Sequence, residues 1–210
     1  NIDYESFKSN PRPFIGFSDI TALHSAIQRR CGWVTFHGPT ARGLLSDFSR
    51  QSLRLAVADQ RDSCGVAASG RELRPGRARG RLIGGNLALV TALLGTPFAA
   101  HFDGGILILE DIGEAVYRVD RMLRHLLLAG ALQKCAALVA GDFRPGAMDA
   151  EAGSGTPAID ELLTEAADEA GIPCLAGAPF GHIPNQWTIP LGATAELDTR
   201  ARSLRVVSPD

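Results

Sequence analysis

Three polar residues stand at the ends of apolar runs, and their types combine into one chemistry. Ser18 follows Pro13-Phe14-Ile15-Gly16-Phe17, Glu110 follows Ile106-Leu107-Ile108-Leu109, and His182 follows Pro179-Phe180-Gly181. A serine hydroxyl is a poor nucleophile at neutral pH. An imidazole that takes its proton, and a carboxylate that fixes the imidazole's tautomer, make it able to attack an acyl carbon. After Ser18-Asp19, apolar residues recur at Ile20, Leu23 and Ile27, a helical spacing. A serine on such a strand-to-helix turn projects its oxygen outward, and the first N–H groups of the helix face a developing oxyanion. The Gly-x-Ser-x-Gly elbow pattern is incomplete, because Ile20 occupies the place of the second glycine.

Each residue also has a plainer reading. Serine before a helix is a common N-cap. Glu110 suits a loop or a helix start, and a lone histidine such as His182 is usually a hydrogen-bonded structural group. His24, His37, His101 and His125 read as structural residues on helices or loops. The four cysteines, Cys31, Cys64, Cys135 and Cys174, have no C-x-x-C spacing and no histidine close by, which argues against zinc and against a disulfide scaffold. Cys135 and Cys174 lie in apolar runs and read as small buried hydrophobes.

The elements that must position these groups alternate. Strand patterns at 13–17, 33–36, 106–109, 136–139, 174–176 and 187–189 are interleaved with helical spacings at 20–27, 51–59, 87–94, 117–128 and 157–170. Residues 38–50 read as loop, and 193–197 with 203–207 as a hairpin. The alternation predicts an α/β protein with a largely parallel sheet in its first part. The Arg-, Gly- and Ser-rich stretch 59–80 reads as a connection with short exposed strands. The expected division is 1–60, a linker at 61–80, and 81–210. Gly84, Gly85 and Asn86 predict a tight entry to a helix, with a second role in lining a cleft. Trp187, near His182, reads as core first and cleft lining second. Arg81, Arg118 and Arg121 are candidate carboxylate readers, with a solvated or ion-paired role weighed against each.

Composition excludes other classes. With 21 basic and 23 acidic side chains in 210 residues, the net charge is −2, so no basic excess draws nucleic acid or anionic membranes. No apolar run approaches the roughly 20 residues of a membrane span.

Four segments in order resemble the serine-type LD-carboxypeptidases, which include murein tetrapeptide carboxypeptidases and microcin-immunity peptidases. They are Asn10–Leu23, Gly84-Gly85-Asn86-Leu87 through Leu94-Gly95-Thr96-Pro97, Gly105–Arg121, and Pro179-Phe180-Gly181-His182 through Gly192. The resemblance implies Ser18 as nucleophile, Glu110 as triad carboxylate, His182 as base and the Asp19 N–H as an oxyanion donor. It implies no metal and no organic cofactor. It also implies a peptide substrate ending in D-alanine after a diaminopimelate or lysine centre, a cytoplasmic setting and a homodimer. The fold it implies is the remnant of an N-terminal parallel-sheet domain carrying the serine, followed by a C-terminal α/β swivelling-type domain carrying the glutamate and histidine. Family members carry roughly a hundred residues, a domain-sized piece, before the serine. The expectation is therefore a fragment of a complete enzyme. Two other readings stand beside it: an immunity peptidase cleaving a peptidyl-nucleotide, and a truncated, non-catalytic binding or dimerisation module.

Overall fold

The computed structural model describes residues 2–40, 43–145 and 156–207. A short helix α1 (Tyr4–Ser9) leads into β1 (Ile15–Gly16), a 3-10 turn at Ser18–Ile20 and α2 (Thr21–Cys31). β2 (Thr35–His37) lies parallel to β1, and β9 (Ile189–Leu191) pairs antiparallel with β2, closing a three-stranded sheet. His37 is thus a strand residue, where the sequence reading put it on a helix or loop. α3 (Asp47–Val57) begins within the stretch expected to be loop, because Ser46 caps it by accepting the Ser49 N–H at 3.2 Å.

An eight-stranded mixed sheet follows. Its strands are β3 (Gly65–Val66), β4 (Arg71–Arg74), β5 (Arg77–Asn86), β6 (Ile106–Glu114), β7 (Ala137–Pro145), β8 (Cys174–Ala176), β10 (Thr194–Asp198) and β11 (Ser203–Val206). The order is β3-β11-β10-β5-β6-β7-β8-β4, with β5 to β8 parallel. β3 and β4 are near neighbours in sequence, yet they lie at opposite edges. The parallel sheet is therefore built mainly from the second part of the chain rather than the first. α4 (Leu87–Ala92), α5 (Val116–Leu128) and α6 (Thr156–Ala170) are the crossover helices.

The apolar run of β6 is explained by cover on both faces. Leu107 and Leu109 pack with Val119, Leu123 and Leu163 from the helices. Ile106 and Ile108 pack on the other face with Phe180, Trp187 and Ile189. Period-two alternation then sends Glu110 to the face of Ile108 and Asp111 to the helix face. Both β6 and β7 run beyond their expected ends. β6 does not stop at Glu110 but continues to Glu114, and register shifts at Leu109/Asp111 and Ile112/Glu114 keep it paired with β7. Cys135 and Cys174 are buried, as their apolar settings predicted.

Candidate active site

Ser18 owes its position to strain and close packing. Its φ is +62°, the left-handed region that costs a non-glycine residue about 1–2 kcal/mol. Gly16 faces back onto Ile20: a Cβ at Gly16 would lie 2.7 Å from Ile20 Cγ2. The turn therefore needs its small residue at position 16, and a bulky Ile20 fits where the elbow pattern has glycine. The buried His24 donates from Nε2 to the Gly16 carbonyl at 2.9 Å and so ties α2 to the end of β1. Burial holds His24 neutral, with its pKa pushed down to about 4. Among the described residues, no turn or cap hydrogen bond uses the Asp19 N–H. Replacing Ser18 with glycine relieves the strained φ, so the Ser18→Gly full chain is expected to unfold at higher temperature. The gain is up to about 1 kcal/mol after the added freedom of glycine in the unfolded chain. A lower melting temperature would contradict the strained-turn account.

Glu110 and His182 meet. His182 Nδ1 lies 2.8 Å from Glu110 Oε2, and Glu110 is fully buried. Gly181, at φ +108°, makes the approach possible, because a Cβ there would stand 3.0 Å from Glu110 Oε2. Burial, then the neighbouring Asp111 and Asp142, push the Glu110 carboxyl up to about 8. Burial also lowers the His182 imidazole, against the raising effect of Asp111 and Asp142. Burial opposes charge on both groups, and the two meet in a hydrogen bond at 2.8 Å.

The Phe17 ring packs edge-on against His182, with centroids 4.8 Å apart, which sets the imidazole beside the residue preceding Ser18. The Ser18 hydroxyl has no hydrogen-bond partner among the described residues. The structure thus joins Glu110 to His182 and packs the residue before Ser18 against the imidazole, with no hydrogen bond between serine and imidazole among the described residues. Catalytic hydrogen bonds are often loose before substrate binds.

The remaining candidates sort clearly. Asn86 caps α4, accepting from the Leu89 N–H at 3.2 Å and donating to Asp111 Oδ1 at 3.1 Å. Its own N–H donates to Thr21 Oγ1 at 2.9 Å, which locks the start of α2 to the end of β5. Gly84 and Gly85 both have positive φ, and a Cβ at Gly85 would collide with Thr21 Oγ1. Trp187 is 1% exposed and belongs to the core, so it does not line a cleft. Arg118 pairs with Glu114 at 3.4 Å, and Arg121 lies over the Tyr117 ring. Arg81 sits on β5 five residues before Asn86, away from the end that carries the site. Among the described residues, no group of three or more His, Cys, Asp or Glu is arranged to hold a metal ion.

Two structural supports were missed in the sequence. Ser46, Ser49 and Ser52 form one stripe on α3 that grips the segment after His182. Ser49 donates to the Pro184 carbonyl at 2.8 Å and accepts from the Gln186 N–H at 2.9 Å, and Ser52 accepts from the Thr188 N–H at 2.8 Å. The three-residue spacing of the serines was the available signal. His37 is fully buried between the Phe17 and Phe180 rings, with neither ring nitrogen hydrogen-bonded among the described residues. Burial pushes its pKa down to about 3, so it serves as a neutral aromatic wedge between Phe17 and Phe180.

Residues 79–197 match the family described as the LD-carboxypeptidase C-terminal domain, and residues 1–38 match the LD-carboxypeptidase N-terminal domain. A Streptomyces coelicolor protein provisionally named a carboxypeptidase is 38% identical over 99% of this chain and 66% of its own length. The crystal structure of muramoyltetrapeptide carboxypeptidase from Oxalobacter formigenes is similar, with TM-score 0.80 and 30% identity over 100% of this chain and 73% of that one. So is the microcin self-immunity protein MccF in its wild-type apo state, with TM-score 0.84 and 26% identity over 99% of this chain and 71% of that one. The chain spans 64–66% of the length of the first curated relatives it matches. No helix among the described residues is long and apolar enough to cross a membrane.

Proposed function

This chain belongs to the LD-carboxypeptidase family, a family of peptidases, and from that premise we propose that it carries the catalytic groups of a serine peptidase removing the terminal D-alanine of a murein tetrapeptide. The observation that carries the reading is the buried Glu110–His182 hydrogen bond beside the strained Ser18 turn. Ser18 attacks the scissile carbonyl while His182 Nε2 takes its proton. Glu110 holds Nδ1 and stabilises the imidazolium. The Asp19 N–H meets the oxyanion. His182 then protonates the departing amine, and water repeats the sequence on the acyl-enzyme. The first part of the chain supplies the serine, and the part after residue 80 supplies the glutamate and histidine. The peptide substrate, homodimeric assembly and cytoplasmic setting follow from the same reading.

A nucleotide-directed immunity peptidase is the second reading, favoured by the likeness to MccF. Stacking on a nucleobase needs an aromatic face at the site. Trp187 is buried, and Trp33 packs on Phe7 before β2 begins, at the strand end opposite the Ser18 turn. This favours the murein peptide. The test is side-by-side hydrolysis of a murein tetrapeptide and an aminoacyl-nucleotide analogue by the full chain. Release of D-alanine from the tetrapeptide with the higher kcat/KM is expected. A clear preference for the nucleotide would overturn the choice.

A further inference from the structure

The leaving group of the proposed reaction has two recognisable ends. One is the amine that His182 protonates. The other, on the adjoining carbon, is the free carboxylate that distinguishes a terminal residue from an internal one. A peptidase that acts only at a chain end needs a cation just beyond its general acid, and a guanidinium suits a planar carboxylate best.

Arg144 is in that place. It lies near the end of β7, opposite Ile112 of β6 and so two residues beyond the level of Glu110. The chain leaving β8 keeps alongside β7. Ala178 N–H donates to the Ala140 carbonyl at 3.1 Å, and Asp142 N–H donates to the Phe180 carbonyl at 2.9 Å. Gly141 fixes this alignment, because a Cβ there would stand 2.7 Å from the Phe180 ring. Two residues farther along the two chains come Arg144 on β7 and His182 after the Gly181 bend. Consistent with this, Arg144 is a cation that opposes protonation of the His182 imidazole.

Arg144 is exposed, and its Nε lies 2.8 Å from Asp142 Oδ2. Asp142 is partly buried on the same strand and holds the guanidinium by charge: the contact lacks hydrogen-bond geometry, and Asp142 Oδ2 has no hydrogen-bond partner among the described residues. The Nη groups have no hydrogen-bond partner among the described residues.

We propose that Arg144, anchored by Asp142, binds the terminal carboxylate of the substrate; the proposal rests on the carboxypeptidase reading above. The arginine makes this chain read the free acid of its leaving group and not merely the D-configured residue. Asp142 is a positioning residue, because it acts through Arg144.

The test compares two substrates in the full chain: a tetrapeptide ending in D-alanine, and the same peptide ending in D-alaninamide. Both use the same serine, imidazole and fold, so a general effect of substitution moves them together. The wild type is expected to prefer the acid. Arg144→Gln is expected to lose about 100-fold more in kcat/KM on the acid than on the amide, as a lost charge-assisted contact implies; any effect through the His182 imidazole falls on both substrates alike. Arg144→Lys keeps the charge without the fork and should recover part of the acid preference. An equal fall on both substrates, or an acid preference that survives in Arg144→Gln, overturns the assignment while leaving the carboxypeptidase reading standing. A wild type that hydrolyses neither substrate refutes the carboxypeptidase reading, and this proposal with it.

Discussion

Ser18→Ala, His182→Ala and the double variant are expected to lose nearly the same activity, about a million-fold in kcat, rather than the product of two losses. The geometry explains why. The Ser18 hydroxyl has no hydrogen-bond partner among the described residues, and the Phe17 ring next to it in sequence packs on His182. Groups that work as one unit lose their function together, and the residual rate comes from oxyanion stabilisation and binding. The two alanines differ in stability. Ser18→Ala keeps the strained φ and changes little. His182→Ala leaves the fully buried Glu110 without its hydrogen bond, which costs about 1–3 kcal/mol. Single-turnover D-alanine release, with thermal unfolding of each variant, checks both halves. A double variant slower than either single by a further thousand-fold would mean that the two residues act independently, and the nucleophile–base pairing would be wrong.

What the sequence disclosed and what it hid follow one physical line. The four apolar residues ending at Leu109 could be read as a strand covered on both faces, because burial leaves a compositional mark. The α5 spacing was legible for the same reason, with Val119, Leu123, Leu126 and Leu127 buried on one stripe. Ser18, Glu110 and His182 stood out as polar groups ending apolar runs. The extensions of β6 to Glu114 and β7 to Pro145 were hidden, because irregular pairing between partly exposed strands depends on the partner and not on local composition. The separation of β3 and β4 to opposite sheet edges was hidden too, since short exposed strands say nothing about which neighbour they join. Arg144, the proposed carboxylate reader, is not marked by any local pattern: its place relative to His182 depends on the alignment of residues 178–180 with β7, a long-range register that sequence spacing does not encode.

Glu110→Gln is expected to separate stability from catalysis. The substitution is nearly isosteric and keeps a hydrogen-bonding group against Nδ1, but an amide that donates there leaves the proton on Nε2. That tautomer cannot take a proton from Ser18, and the loss is on the order of 10,000-fold in kcat. Stability moves the other way as pH rises. The folded carboxyl titrates near 8, above its unfolded value of 4.5, so burial disfavours its ionised form. The fold has its full share of stability from this group below about pH 4.5 and loses it as pH climbs through 8. Glutamine has no such titration. The melting temperature of Glu110→Gln should therefore match the wild type near pH 4.5 and exceed it increasingly toward pH 9. The same proton governs the wild-type rate. The Glu110–His182 pair becomes a base only after losing it, so kcat/KM should rise about tenfold per pH unit below 8 and level off above. A wild-type rate flat from pH 6 to 9, together with a pH-independent stability difference, would show that Glu110 is already ionised at neutral pH and that burial does not hold the proton on this pair.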